Sequence, residues 1–128
     1  NAKASLLARG MIEVARLGVA LGAKKSTFSG LSGFGDLVTT CVSGFGRNRE
    51  VGMKIAKGQK LSEILAGTEK VAEGVWTTRS VRTLARKHNV DAPINLEVYR
   101  VLFEDKDPAQ AVRDLMLRAP KSEAEDLM

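Results

Sequence analysis

The chain has 128 residues but one cysteine, one histidine, three prolines and 5% aromatic residues, and each scarcity excludes something. Cys41 alone cannot build a disulfide framework, which suits a reducing compartment and reads first as a small buried hydrophobe. Cys41 and His88, far apart in sequence, do not make a zinc set, so no metal is expected. Aromatics this sparse do not form a base-stacking platform, and the basic residues form no dense tract, which argues against nucleic acid. No apolar run is long enough to span a bilayer, and no signal peptide opens the chain. Asn1 starts directly in helical pattern without an initiator Met, as the latter part of a longer protein would. Sustained apolar–polar alternation is missing, so strands are at most incidental. Neither glycine pair completes a G-x-G-x-x-G: the sixth positions are Val38 and Arg49, and no hydrophobic strand precedes them.

What remains is an ordinary globular composition, 44% hydrophobic and 27% charged, enough for one domain with a core. The net charge of +5 and pI near 9.6 suit an anionic partner: nucleic acid, a membrane surface or a small phosphate. Periodicity predicts an all-α fold of six to eight helices. A long helix runs over Asn1–Leu21, with Asn1 as N-cap, Leu7, Met11, Val14, Gly18 and Leu21 on the inner face, and Gly22 as its stop. Gly10 and Gly18 inside it signal close approach by another backbone. A helical turn around Thr27–Leu31 and short helices over Asp36–Val42 and from Ser62 to Leu65 follow the same reasoning, as does a helix over Arg47–Lys57 with Val51, Ile55 and Met53 inward. Lys70–Gly74 reads as extended. Helices over Val75–His88, with His88 on the apolar face, and Asn95–Glu104 come next. Asp107-Pro108-Ala109-Gln110 is a strong helix start, and Val112, Leu115 and Met116 form the stripe behind it. Residues 1–118 are expected to be the domain and 119–128 an acidic tail.

The stretch from Gly33 to Arg49 carries the chemistry. It holds Asp36, the hydroxyls of Thr39 and Thr40, and a glycine pair leading into Arg47-Asn48. A guanidinium is a planar fork of donors that fits a phosphate or carboxylate. A helix beginning at Arg47 would aim its free N–H groups and positive dipole end at the same spot. Two loops with surface arginines explain the same residues without any ligand, and Asp36 by itself fits a helix N-cap.

Five motifs in register bear on that choice. Asn-x-Lys-Ala, Gly-x-Gly-Asp-Leu with Thr-Cys, Arg-Asn-Arg, Val-x-Glu-Gly and Pro-Ile-x-x-x-Val-Tyr-x-Val-Leu occur in that order. The chain resembles the C-terminal domain of NAD(P)-dependent glycerol-3-phosphate dehydrogenases from Asn1 to about Leu117, in a form closer to the bacterial and plastid branch. The resemblance implies a single multi-helical domain like the C-terminal domain of 6-phosphogluconate dehydrogenase, with the Rossmann domain absent. It implies an oxidoreductase that interconverts dihydroxyacetone phosphate and sn-glycerol 3-phosphate with NAD or NADP, supplying phospholipid precursors, in a homodimer in the cytoplasm or the plastid stroma. It gives Asp36, Thr40, Gly46, Arg47 and Asn48 to the substrate, with Asp36 supporting catalysis, and Arg47, Val71 and Glu73 to the cofactor. Gly46 stands where bacterial members often have Ser, so only a backbone N–H is left there. The family's proton-donating Lys lies upstream of Asn1, and Lys3 is not that residue; the fragment is therefore expected to be inactive alone. The competing reading is a helical interaction module, using the Gly10/Gly18 helix and Trp76 to meet another chain.

Overall fold

A computed structural model describes residues 2–44, 46–70 and 72–118. It has eight α-helices among those residues: α1 (Ala2–Ala20), α2 (Lys25–Ser29), α3 (Asp36–Val42), α4 (Arg47–Ala56), α5 (Leu61–Ala66), α6 (Glu73–Lys87), α7 (Pro93–Phe103) and α8 (Pro108–Leu117). No strand occurs among them. A π-helical turn over Leu31–Gly35, closed by Gly35 N–H donating to Gly30 O at 3.2 Å, joins α2 to α3. No described helix is long and apolar enough to cross a membrane.

The core lies where α4, α5 and α6 meet. Val51, Ile55, Leu61, Ile64, Ala72 and Val75 are buried there, with Val101, Leu102 and Phe103 of α7 packed against them. Each large aliphatic side chain so placed contributes about 1.5–3 kcal/mol. Asp107 caps α8 as expected, its carboxylate accepting from the Gln110 N–H at 3.1 Å with Pro108 in the first turn. The residues that close α1 and α4, Gly22 and Gly58, have the positive φ of a C′ position.

Several expectations need correction. α1 does not bury Val14 or Leu21, which are exposed; its buried residue is Glu13. Leu7, Met11 and Gly18 are half-buried as expected, and beside them three polar side chains at i, i+4 and i+7 each meet a helix end or its approach. Arg9 Nη1 donates to Leu115 O in the last turn of α8 at 2.8 Å. The Glu13 carboxylate accepts from the Ile94 and Asn95 N–H groups at the start of α7 at 2.9 and 2.8 Å. Arg16 Nη1 donates to Asp91 O at 2.5 Å. At the Arg9 and Glu13 contacts the charge signs match the helix dipoles, cation at a C-terminus and carboxylate at an N-terminus; Arg16 is instead a cation before the start of α7. Burial pushes the Glu13 carboxyl above its ordinary value, partly offset by those two N–H groups. Side chains, not backbone, approach the α1 glycines: the Phe28 ring lies over Gly18, and Ile94 is 3.9 Å from the Cβ position of Gly10.

α5 starts at Leu61 with Lys60 as N-cap, and Glu63 reaches back to the Lys60 N–H at 3.4 Å, so Ser62 is not the cap. α6 begins at Glu73, so Glu73 and Gly74 are helical rather than extended. Met53 and Val112 are exposed where they were expected inward. His88 is exposed at the C-cap of α6 and not on an apolar face. Asn1, Val71 and the tail 119–128 lie outside the described residues.

Candidate functional site

Gly46 is the N-cap of α4, with φ 144° and ψ 138°, a backbone that L side chains rarely adopt. It has no side chain with which to cap the helix, and α4 has no side-chain cap bond. Arg47 and Asn48 are the first two residues of that helix, both exposed. The positive end of a ten-residue helix therefore opens beside a guanidinium and an amide.

Asn48 also reaches a second helix start. Its Oδ1 accepts from the Gly74 N–H at 2.9 Å, in the first turn of α6. A Cβ on Gly74 would lie 2.7 Å from that same oxygen, so only glycine admits the amide. The bond chain continues inward. Thr78 Oγ1 donates to Gly74 O at 2.6 Å, Asn95 Nδ2 donates to Thr78 O at 3.2 Å, and the Asn95 N–H goes to Glu13. The orientation of Asn48 is thus tied, link by link, to the contact between α1 and α7. Reading the sequence alone misses Gly74, Thr78 and Asn95; the Val-x-Glu-Gly motif was the available signal, since glycine inside a helical stretch needs a reason.

A hollow of about 610 Å³ opens on this side, lined by Gly44, Gly46, Arg47, Arg49, Glu50, Met53, Lys54, Lys57 and Lys70. Five cations and one carboxylate face it, and Glu50 pairs with Lys54 at 3.3 Å. Asp36 and Thr40 are exposed on α3 and are not among its lining residues. Thr39 Oγ1 is turned back onto Gly35 O at 2.9 Å. Glu73 is exposed at the start of α6, next to the Gly74 that receives Asn48. The structure therefore brings Gly46, Arg47, Asn48 and the Glu73-Gly74 pair together but not Asp36 and Thr40, which sit on α3, a helix that packs against α1 and the π-turn. Val71 lies outside the described residues. Among the described residues, no group of His, Cys, Asp or Glu is placed to hold a metal. On the other side of Asn48 and Gly74 runs an apolar groove of about 460 Å³, walled by Val51, Ile55, Val75, Val101, Leu102 and Leu115.

Comparison with known proteins decides the family. Residues 1–113 match the model of the NAD-dependent glycerol-3-phosphate dehydrogenase C-terminus. This chain belongs to that family. Glycerol-3-phosphate dehydrogenase [NAD(P)+] of Maridesulfovibrio salexigens is 56% identical over 123 residues, covering 96% of the chain and 37% of the relative. One of the Salinibacter ruber dehydrogenases is 50% identical over the same length, 96% of the chain and 36% of its own. The crystal structure of glycerol-3-phosphate dehydrogenase from Coxiella burnetii superposes with a TM-score of 0.87 at 41% identity, over 92% of this chain and 36% of that one. The chain thus spans little more than a third of the length of these dehydrogenases, as their C-terminal, all-helical part.

Proposed function

We propose that residues 1–118 are the substrate-binding part of an NAD(P)-dependent glycerol-3-phosphate dehydrogenase and that the start of α4 grips the phosphate of dihydroxyacetone phosphate. The observation that carries this is an uncapped helix start whose first residue, Arg47, lines a hollow in which cations outnumber carboxylates, with Asn48 next to it on the first turn, where it lines the apolar groove. A dianionic phosphate there would receive the forked guanidinium, the Asn48 amide N–H₂ and the N–H groups of the first turn. The Asn48 carbonyl is committed to Gly74, so its N–H₂ is the end left to face a ligand.

Fixing the phosphate orients the carbonyl for reduction, a positioning effect. The nicotinamide, when bound, supplies the hydride. Glu73, a carboxylate, suits hydroxyl or carboxamide donors of such a cofactor better than its phosphates. Val71 and Arg47 border the same cofactor in this reading. Asp36 and Thr40 would complete the substrate side from α3, with Asp36 supporting the proton donor. That donor is a lysine of the family lying upstream of Asn1, so the 128-residue chain alone should show no turnover. A cytoplasmic homodimer serving phospholipid precursor synthesis fits the bacterial relatives; a plastid location is the alternative. The interaction-module reading is favoured by the open apolar groove, and it coexists with the first if the groove meets the rest of the full-length protein.

The test is Arg47→Ala in the full-length enzyme. Loss of one bidentate charged contact costs about 2–4 kcal/mol, so the KM for dihydroxyacetone phosphate should rise steeply with the fold intact. Unchanged kinetics would remove the phosphate role and leave the interaction module.

A further inference from the structure

The start of α6 is capped from another helix. Its own N-cap, Ala72, is buried and makes no side-chain cap bond. Asn48 of α4 takes that place, its Oδ1 accepting from the Gly74 N–H at 2.9 Å. A Cβ on Gly74 would lie 2.7, 2.8 and 2.8 Å from the Asn48 Oδ1, Cγ and Nδ2, so the amide lies flat over that residue. This contact fixes the plane of the amide, and the single N–H donor fixes which end carries the oxygen. Asn48 is aligned only as well as the Gly74 peptide is held, and a glycine near a helix end holds its own backbone poorly.

Thr78 supplies the restraint. It is buried, and its Oγ1 donates to Gly74 O at 2.6 Å. Thr78 is held in turn from α7, where Asn95 Nδ2 donates to Thr78 O at 3.2 Å. The Asn95 amide keeps that direction with its Oδ1 buried and unpartnered among the described residues. Turning it over would set two acceptor oxygens against each other, so the bond to Thr78 decides its orientation. Thr83 makes the same kind of bond on the same helix, to Arg79 O at 3.3 Å, but it is exposed and lies more than two turns beyond Gly74.

We propose that Thr78 is a positioning residue for the triose phosphate: its hydroxyl holds the Gly74 peptide that aligns the Asn48 amide on the phosphate. The inference rests on the phosphate-gripping role of Arg47 and Asn48 argued above. It adds to that grip a side chain that does not touch the substrate and acts through two others.

The experiment is calorimetric binding of sn-glycerol 3-phosphate to the full-length protein, alone and with saturating NADH, two reduced partners that cannot react. The variants are Thr78→Val, Thr78→Ser, Thr83→Val, Asn48→Ala and the double Asn48→Ala with Thr78→Val. Valine keeps the shape of threonine, and Gly74 O keeps the helix's own bond, so thermal unfolding of Thr78→Val should stay close to the parent. Binding is read at a temperature where every variant is folded. Thr78→Val should weaken it about threefold to tenfold, the scale of a lost hydrogen bond, while Thr78→Ser and Thr83→Val stay within a factor of about two. In the Asn48→Ala background Thr78→Val should add nothing, because the two act through one contact. In kinetics, Thr78→Val should raise the KM for dihydroxyacetone phosphate and leave kcat/KM for unphosphorylated dihydroxyacetone alone. Three results would each overturn the proposal: Thr78→Val binding like the parent, Thr78→Ser falling as far as Thr78→Val, or the loss persisting in full without the Asn48 amide. Those results leave the Arg47 reading standing. That reading fails separately, if Arg47→Ala and Asn48→Ala both bind sn-glycerol 3-phosphate as tightly as the parent, and the Thr78 role falls with it.

Discussion

Two helix starts in this domain, those of α7 and α4, are finished in opposite ways. At α7 the first-turn N–H groups of Ile94 and Asn95 are met from within, by the Glu13 carboxylate of α1. At α4 the cap is a glycine that contributes no side chain, and the next residue is a guanidinium that would repel any internal cation and attract an external anion. The first arrangement spends a charge on holding helices together; the second leaves the helix end available to a ligand. The same division separates the cations. Lys106 is held between Glu97 and Asp114 at 2.5 and 2.6 Å and fastens α7 to α8. Arg49, Lys57 and Lys70 face a hollow instead.

If the comparison is right, substitutions at the two helix starts should affect different measurements. Arg47→Ala should cost about 2–4 kcal/mol in kcat/KM and little in thermal stability. Glu13→Ala should do the reverse. It leaves two part-buried N–H groups unmet, and chemical denaturation should show a loss of about 2–3 kcal/mol. Gly74→Ala would break the separation, since it acts on the link between the two regions. A Cβ there drives the Asn48 amide aside, so triose affinity and stability should fall together, the latter by about 1–3 kcal/mol as for other overpacked sites.

The pH dependence sharpens the contrast further. The Glu13 carboxyl is raised by burial, so the folded state binds its proton more readily than the unfolded chain. Its contribution is full below the ordinary value of 4.5 and is lost as pH rises through the raised pKa, and Glu13→Gln should flatten that slope. Hydrogen bonding between Lys106 and Asp114 lowers the Asp114 carboxyl and raises the Lys106 ammonium. That tie is present above the ordinary carboxylate value of 3.8 and is lost as pH falls through the depressed pKa of Asp114. On the alkaline side it is present up to 10.5 and is lost as pH rises through the raised pKa of Lys106. Acid titration of Asp114→Asn by circular dichroism should show the lower limb missing. The smallest effect belongs to an ordinary cap: Asp107→Ala should cost about 1 kcal/mol and leave the kinetics alone.

The helices with local signals were readable from residues alone. α3 and the start of α4 were placed from glycines and the Asp36 and Arg47 positions, and α8 from Asp107-Pro108, because caps and stops act within a few residues. The face of α1 was readable only in part. Leu7, Met11 and Gly18 are half-buried as expected, but the one buried residue is Glu13, and what draws it and its polar neighbours Arg9 and Arg16 inward is a set of helix ends some 75 to 106 positions away. An apolar moment cannot anticipate a polar face with distant backbone partners. The π-turn before α3 carries no signal of its own for a related reason, since glycines permit it without demanding it. Within the site, Arg47 and Asn48 stood out by chemistry. Gly74 did not, because its role is to leave room for a side chain from another helix.

The most direct measurement compares dihydroxyacetone phosphate with unphosphorylated dihydroxyacetone, as kcat/KM ratios, in the full-length enzyme and in Arg47→Ala. The account expects a large preference for the phosphate in the parent and a preference reduced by about 2–4 kcal/mol in the variant. An Arg47→Ala enzyme that discriminates between the two as strongly as its parent would contradict it.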